Sequence, residues 1–163
     1  MFDVETFFTK FYLKMKEQLN LKIAAINTEK GDELLTNIAD EAWILMSLND
    51  KVKNFIDFAF GQIDNVKTVA NGRDVSKEIT LEFDLFIAVR NDGLDANGID
   101  KDELRILRYW RALEEAAKEA WNKVGVGYGK SEIESLTPID IKLTDSAHQH
   151  KLCGISVSFT ING

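Results

Sequence analysis

The segment Glu78–Arg90, EITLEFDLFIAVR, decides the fold. Ile79, Leu81, Phe83, Leu85, Ile87 and Val89 hold its odd positions, and Glu78, Thr80, Glu82 and Asp84 its first four even ones. Successive side chains therefore fall on an apolar and a polar face, the period of a strand with one side against a core. A slip of one residue would turn every apolar side chain to water, at about 1.5–3 kcal/mol for each large one, so strand identity and register are set together.

Working outward, Val52–Ala70 reads as an irregular strand with a break near Gly61. Asn71-Gly72 is a hairpin-grade turn that returns this segment antiparallel into Glu78. After Arg90, the run NDGLDANGID is a surface loop rich in Asn, Asp and Gly. Asp100 and Glu103 then have the spacing of a reciprocal capping box, which opens a helix over ELRILRYWRALEEAAKEAWNK. Ile106, Trp110, Leu113, Ala117, Ala120, Trp121 and Val124 form its apolar stripe, and it ends at Gly125, Gly127 and Gly129.

At the other end, Val4, Phe8, Phe11, Met15 and Leu19, flanked by Phe7 and Tyr12, predict an amphipathic helix from Asp3. Ile23 and Ile26 extend it, and Gly31 is its stop. Between Asp32 and Leu48, the residues Leu34, Leu35, Ile38, Ala42 and Leu45 keep helical spacing, while the run from Trp43 to Met46 would also suit a strand; the helical reading is favoured. The chain closes with a hairpin. Ile139, Ile141 and Leu143 alternate with polar residues, DSAHQH turns, and Cys153, Ile155, Val157, Phe159 and Ile161 alternate again. The expected architecture is α+β, an antiparallel sheet covered on one face by the N-terminal and central helices, in a single domain over residues 1–163.

Composition bounds the function. A chain of 163 residues, 45% hydrophobic and 29% charged, with a single proline, belongs with globular proteins. A formal charge of -7 argues against general affinity for nucleic-acid backbones or anionic membranes, yet leaves room for DNA to pass without being held. The lone Cys153 excludes an intrachain disulfide. MFDVETFF lacks the basic start of a signal peptide, and no apolar run approaches the roughly 20 residues of a membrane span, so assembly in a cytoplasm is expected.

Candidate sites are few. DGLDANGIDKDEL has the length of an EF-hand loop from Asp92 to Glu103, but Leu94 and Ala96 stand where oxygen ligands are needed and Asn97 replaces the turn glycine. It reads as an acidic turn with a helix cap. His148 and His150, with Asp145, fall short of a zinc set and read as a polar turn. Cys153 is in the apolar phase of its strand and reads as a small buried hydrophobe. Arg105, Arg108 and Arg111 form a basic ridge beside Tyr109 and Trp110, explained either by pairing with Glu114 and Glu115 or by a protein contact. No phosphate loop, nucleophile elbow or helical His-Glu motif occurs, so no catalytic residue, cofactor site or metal site is assigned.

The N-terminal segment through LKIAAINTEKGD, the strand EITLEFDLFIAV with its Asn-Asp-Gly exit, the helix RILRYWRALEEA and the closing KLCGISVSFTING resemble the tail-terminator and tail-completion proteins of tailed bacteriophages. That resemblance implies a non-enzymatic virion protein. It implies a homohexameric ring that caps the tail tube, halts its polymerisation, joins it to the neck, and lets DNA through its lumen without specific binding. In such a ring one patch meets a different patch on the neighbour, and the expectation here is that Arg105, Arg108, Tyr109 and Arg111 face Glu78, Glu82 and Asp84. The alternative is a small dimeric α+β module that binds an apolar ligand or a regulatory partner, with a pocket lined by Phe83, Trp110 and Phe159.

Overall fold

A computed structural model describes residues 3–43, 54–68, 75–124, 133–139, 143–144 and 150–162. Helix α1 spans Val4–Lys30, β1 Asn54–Thr68, β2 Val75–Ala88, α2 Lys101–Val124, β3 Ile133–Ile139, β4 Leu143–Thr144 and β5 His150–Asn162. The strands form one antiparallel sheet in the order β1-β2-β5-β3, with β4 also paired to β5. The fold is α+β, with its two helices packed against one face of that sheet.

Ile79, Leu81, Phe83, Leu85 and Ile87 of β2 are all buried, as are Cys153, Ile155 and Val157 of β5, while the residues between them on β2 are only partly covered. The alternation therefore does what its period demands. The Phe83 ring meets Phe11 of α1 at 6.2 Å between centroids, and Phe7 meets Trp121 of α2 edge-on at 6.0 Å, so both helices and the sheet share one core. In α1 the buried stripe centres on Phe7, Phe11, Met15, Leu19, Ile23 and Ile26, with Phe8 half-covered beside it.

Both ends of α1 are chemically marked. Asp3 accepts a hydrogen bond from the Glu5 amide at 3.1 Å, meeting one of the first-turn donors. At the far end Gly31 turns to a φ of +68, and the Gly31 and Asp32 amides reach back to Thr28 and Asn27 carbonyls, a Schellman stop. The β1–β2 register shifts between Phe60 and Ile63, where the sequence places Gly61, as a bulge in an edge strand requires.

Three expectations are corrected. Residues 32–43 do not form a helix: they run as an extended strap with one 3-10 turn at Asp40–Ala42 and an isolated bridge from Trp43 to Ile56. The reason lies in side-chain amides. Asn20 donates to the Ile38 carbonyl at 2.9 Å and accepts from its amide at 2.8 Å; Asn27, two turns later on α1, does the same for Leu35 at 2.9 and 3.2 Å. Each Asn thus supplies the donor and acceptor that a neighbouring strand would supply, and the strap needs no helix to satisfy its backbone while Leu35, Ile38 and Ala42 bury.

The second correction concerns the closing hairpin. Leu143–Thr144 pairs antiparallel with β5 as expected, but a further strand lies at Ile133–Ile139, ahead of where alternation suggested, and it tolerates Pro138 because β3 is an edge. His150 belongs to β5 and is buried, so it is not a turn residue. His148, Asp145, the Asn71-Gly72 turn and residues 44–48 lie outside the described residues. Third, the reciprocal capping box is half made: Asp100 accepts from the Asp102 amide at 2.7 Å, but Glu103 turns outward to Lys151 of β5.

Replacing Asn20 or Asn27 by Ala leaves a strap N–H and C=O without partners beside the core. We expect each change to cost about 1–3 kcal/mol in urea unfolding; an unchanged midpoint would show that the amides do not hold the strap.

Candidate functional site

The basic ridge of α2 was the leading sequence candidate, and its residues have internal partners. Arg105 is 3% exposed. Its Nη1 donates to Asp102 at 2.7 Å and to Asp92 at 2.8 Å, its Nη2 to the other Asp92 oxygen, and its Nε to the Leu34 carbonyl at 3.1 Å. Asp102, also buried, accepts from the Arg90 and Asn91 amides as well. The Arg105 guanidinium holds the Asp92 carboxyl down at about 2. This cluster ties the start of α2 to the loop after β2 and to the strap.

Tyr109 is buried at 1% exposure, and its hydroxyl is fully engaged. It donates to the Thr36 carbonyl at 2.9 Å, accepts from the Thr36 amide at 2.9 Å, and accepts from Asn54 at 3.2 Å. Asn54 in turn accepts from the Ala88 amide at 3.1 Å, so one buried network joins α2, the strap, β1 and β2. Arg105 and Tyr109 therefore leave the set of contact residues: both are interior. Arg108 donates to both oxygens of Asp32 at 2.8 Å, and Arg111 grips Glu29 at 3.0 and 2.7 Å and Glu115 at 2.9 Å. Of the local partners expected for the ridge, Glu115 binds Arg111 and Glu114 binds Lys118. The main partners are non-local, on the end of α1 and the strap.

The acids of the loop have similar duties. Asp95 accepts from the Asn97 and Ile99 amides at 2.9 Å each, and Gly93 and Gly98 take positive φ to let the turn close. The two acids nearest an EF-hand pattern thus bind Arg105 and backbone amides.

Glu78, Glu82 and Asp84 lie on the outer face of β2, away from the helices, each partly covered. Thr80 bonds Ser158 across this face at 2.9 Å, and Ser156 stands opposite Glu82. Asp84 stands directly opposite Asp57 of β1, a like-charge cross-strand pair, with Glu82 two residues away. One Asp84 oxygen is buried without a hydrogen-bond partner. Burial first, then Glu82 and Asp57, push the Asp84 carboxyl up to about 6. Burial, with Asp84 adding to it, also pushes the Cys153 thiol up to about 12, and that thiol donates to the Ile106 carbonyl at 3.4 Å. Such a thiol stays protonated and unreactive at neutral pH.

A cleft of about 660 Å³ opens between the end of α1 and the strap, lined by residues including Asn27, Gly31, Glu33, Leu35 and Asn37. It lies away from Phe83, which is wholly inside the core. Several of its polar side chains already have partners: Asn27 holds Leu35, Thr28 bonds the Ala24 carbonyl, and Asp32 holds Arg108. Among the described residues no group of three or more His, Cys, Asp or Glu is placed to hold a metal ion, and no helix is long and apolar enough to cross a membrane. No protein-family model matches this chain, and no curated protein matches it in sequence.

Sequence reasoning missed the strap and its amide clamps. The signal was the pair Asn20 and Asn27, seven apart on one helix face, joined by Tyr109 and Asn54 as polar residues at core positions.

Arg105→Met removes the partner of buried Asp102 and is expected to cost about 3–5 kcal/mol, because an uncompensated charge remains inside; a loss below about 1 kcal/mol in chemical unfolding would refute the role given to the pair. Asp84 tests the opposite sign. Its folded pKa lies above the ordinary 3.8, so the folded chain keeps a proton that the unfolded chain has released, and its contribution to stability falls as pH rises from 3.8 through about 6. Asp84→Asn should accordingly raise the melting temperature at neutral pH, with the gain closing below pH 4; an equal shift at every pH would contradict this.

Proposed function

We propose that this chain is a structural subunit of a bacteriophage or phage-like tail, a non-enzymatic protein whose copies form a ring, six by the likeness above. The ring caps the tail tube, ends its polymerisation and joins it to the neck. One observation carries the reading. The sheet is two-faced: helices seal one side, and the other carries a row of carboxylates and hydroxyls, with Phe86 and Leu152 at one end and no described helix over it. A subunit of this build offers a flat face to a neighbour while keeping its own core closed, which is what repeated side-by-side assembly needs.

Charge supports the same reading. With a net charge of -7, a ring of such subunits repels phosphate and lets DNA slide without trapping it. The partners on this reading are further copies of the chain, the tail tube and the neck proteins, in an assembled virion.

Light scattering and negative-stain imaging of the purified protein provide the test. Rings with a mass of about six times 18.5 kDa, and no retention of duplex DNA at moderate salt, are expected. A particle that stays monomeric at every concentration, or that binds duplex DNA tightly, would overturn the reading.

A further inference from the structure

The ring reading leaves open which surfaces meet, and the inference drawn here rests on that reading. The two outer surfaces of the slab differ in charge. On the sheet side, Asp57, Glu78, Glu82 and Asp84 share a face on which no described side chain of β1, β2 or β5 is a free cation. On the helix side, Lys10, Leu13, Lys14, Glu17 and Leu21 recur at steps of three and four along the outward stripe of α1. Glu17 is the one acid among these five residues, and it is held below its ordinary value by Lys14 and, from α2, by Lys123. Lys22 flanks the stripe.

This stripe is apolar as well as basic. Leu13 and Leu21 are 54% and 57% exposed, two bare leucines two turns apart. The dimensions of the two faces agree. Lys10 and Lys14 are one turn apart, about 6 Å along the axis; Glu82 and Asp84 are about 7 Å apart along their strand. The stripe from Lys10 to Ala24 and the carboxylate row from Glu78 to Asp84 both run about 20 Å.

We propose that the acidic outer face of the sheet docks on the outward stripe of α1 of a second copy, with Lys10 and Lys14 meeting Glu82 and Asp84. The contact is head-to-tail, one patch against a different patch, and so it propagates around a ring. It sets two cations against the crowded carboxylates of Glu82 and Asp84 and covers Leu13 and Leu21. The ridge of α2 is set aside because Arg105 is buried and Arg108 and Arg111 each grip both oxygens of an acid of the chain, whereas Lys14 shares a single exposed contact with Glu17 at 2.8 Å.

Charge reversal tests the contact. Lys10→Glu with Lys14→Glu makes both faces acidic, and Glu82→Lys with Asp84→Lys makes both basic. Each double variant alone should lose the ring, with subunit affinity weakened about a hundredfold or more. Mixed in equal amounts they should recover it, because alternating copies then match at every contact. Circular dichroism confirms folding, and the α1 variant, whose changes lie on an exposed helix face, remains decisive if the sheet variant does not fold. Rings formed by either variant alone would overturn this contact and leave the ring reading standing; a wild-type protein that never assembles would remove both.

Discussion

One-sided burial along β2 is the constraint from which the remaining structure follows. Its odd-numbered row must lie against something apolar over a strand of 14 residues, and only a layer of comparable length can cover it. The 27-residue α1 and 24-residue α2 supply that layer. Small residues let the layer come close: Ala112, Ala116, Ala117 and Ala120 are all fully buried on α2, while Phe7, Phe11 and Trp121 fill the space that remains. The even-numbered row is left on the opposite face, where its carboxylates and hydroxyls are partly covered.

Covering a sheet with helices creates a secondary problem that the strap solves. The chain must travel from the end of α1 to the start of β1, and residues 32–43 do so in extended form against helices that have no free backbone groups to offer. Side chains take that role. Asn20 and Asn27 pair with the strap from one side, and Tyr109 and Arg105 from the other. Because a lost partner at any of these points leaves a polar group unmet near the core, the network specifies one path for the strap as well as holding it.

This division explains what could be read in advance. Periodicity reports burial, and where burial alone decides structure the reading was sound: β2, the pairing of β1 with β2, both long helices, the Gly61 irregularity and β5. It misled over residues 32–43, where the buried Leu35, Ile38 and Ala42 keep the steps of three and four expected of a helix although the backbone is extended apart from the 3-10 turn at Asp40–Ala42. Apolar spacing cannot reveal that distant Asn and Tyr side chains will satisfy the backbone. Arg105 and Tyr109 failed as surface residues for the same reason. Spacing on α2 placed Arg105, Arg108 and Arg111 together and found Glu115, but Asp92, Asp32 and Glu29 are brought near only by the tertiary fold. Glu78, Glu82 and Asp84, by contrast, were placed on the polar face by alternation alone, and there they lie.

The consequence for function is a matter of which charges are left over. Arg105 is matched to Asp102 and Asp92 in the interior, while Arg108 and Arg111 meet their carboxylates at the surface. Outside, the balance is uneven: like charges stand opposite one another across β1 and β2 at Asp57 and Asp84, an arrangement that weakens an isolated sheet. A chain that bonds its strap so completely and yet crowds Asp84 against Glu82 and Asp57 carries a repulsion that a cation set against this face would offset. Binding of that kind links assembly to the titration of the face. As Asp84 takes up a proton near pH 6 the attraction for a cation weakens, so an interface built here holds best above that pH and loosens below it.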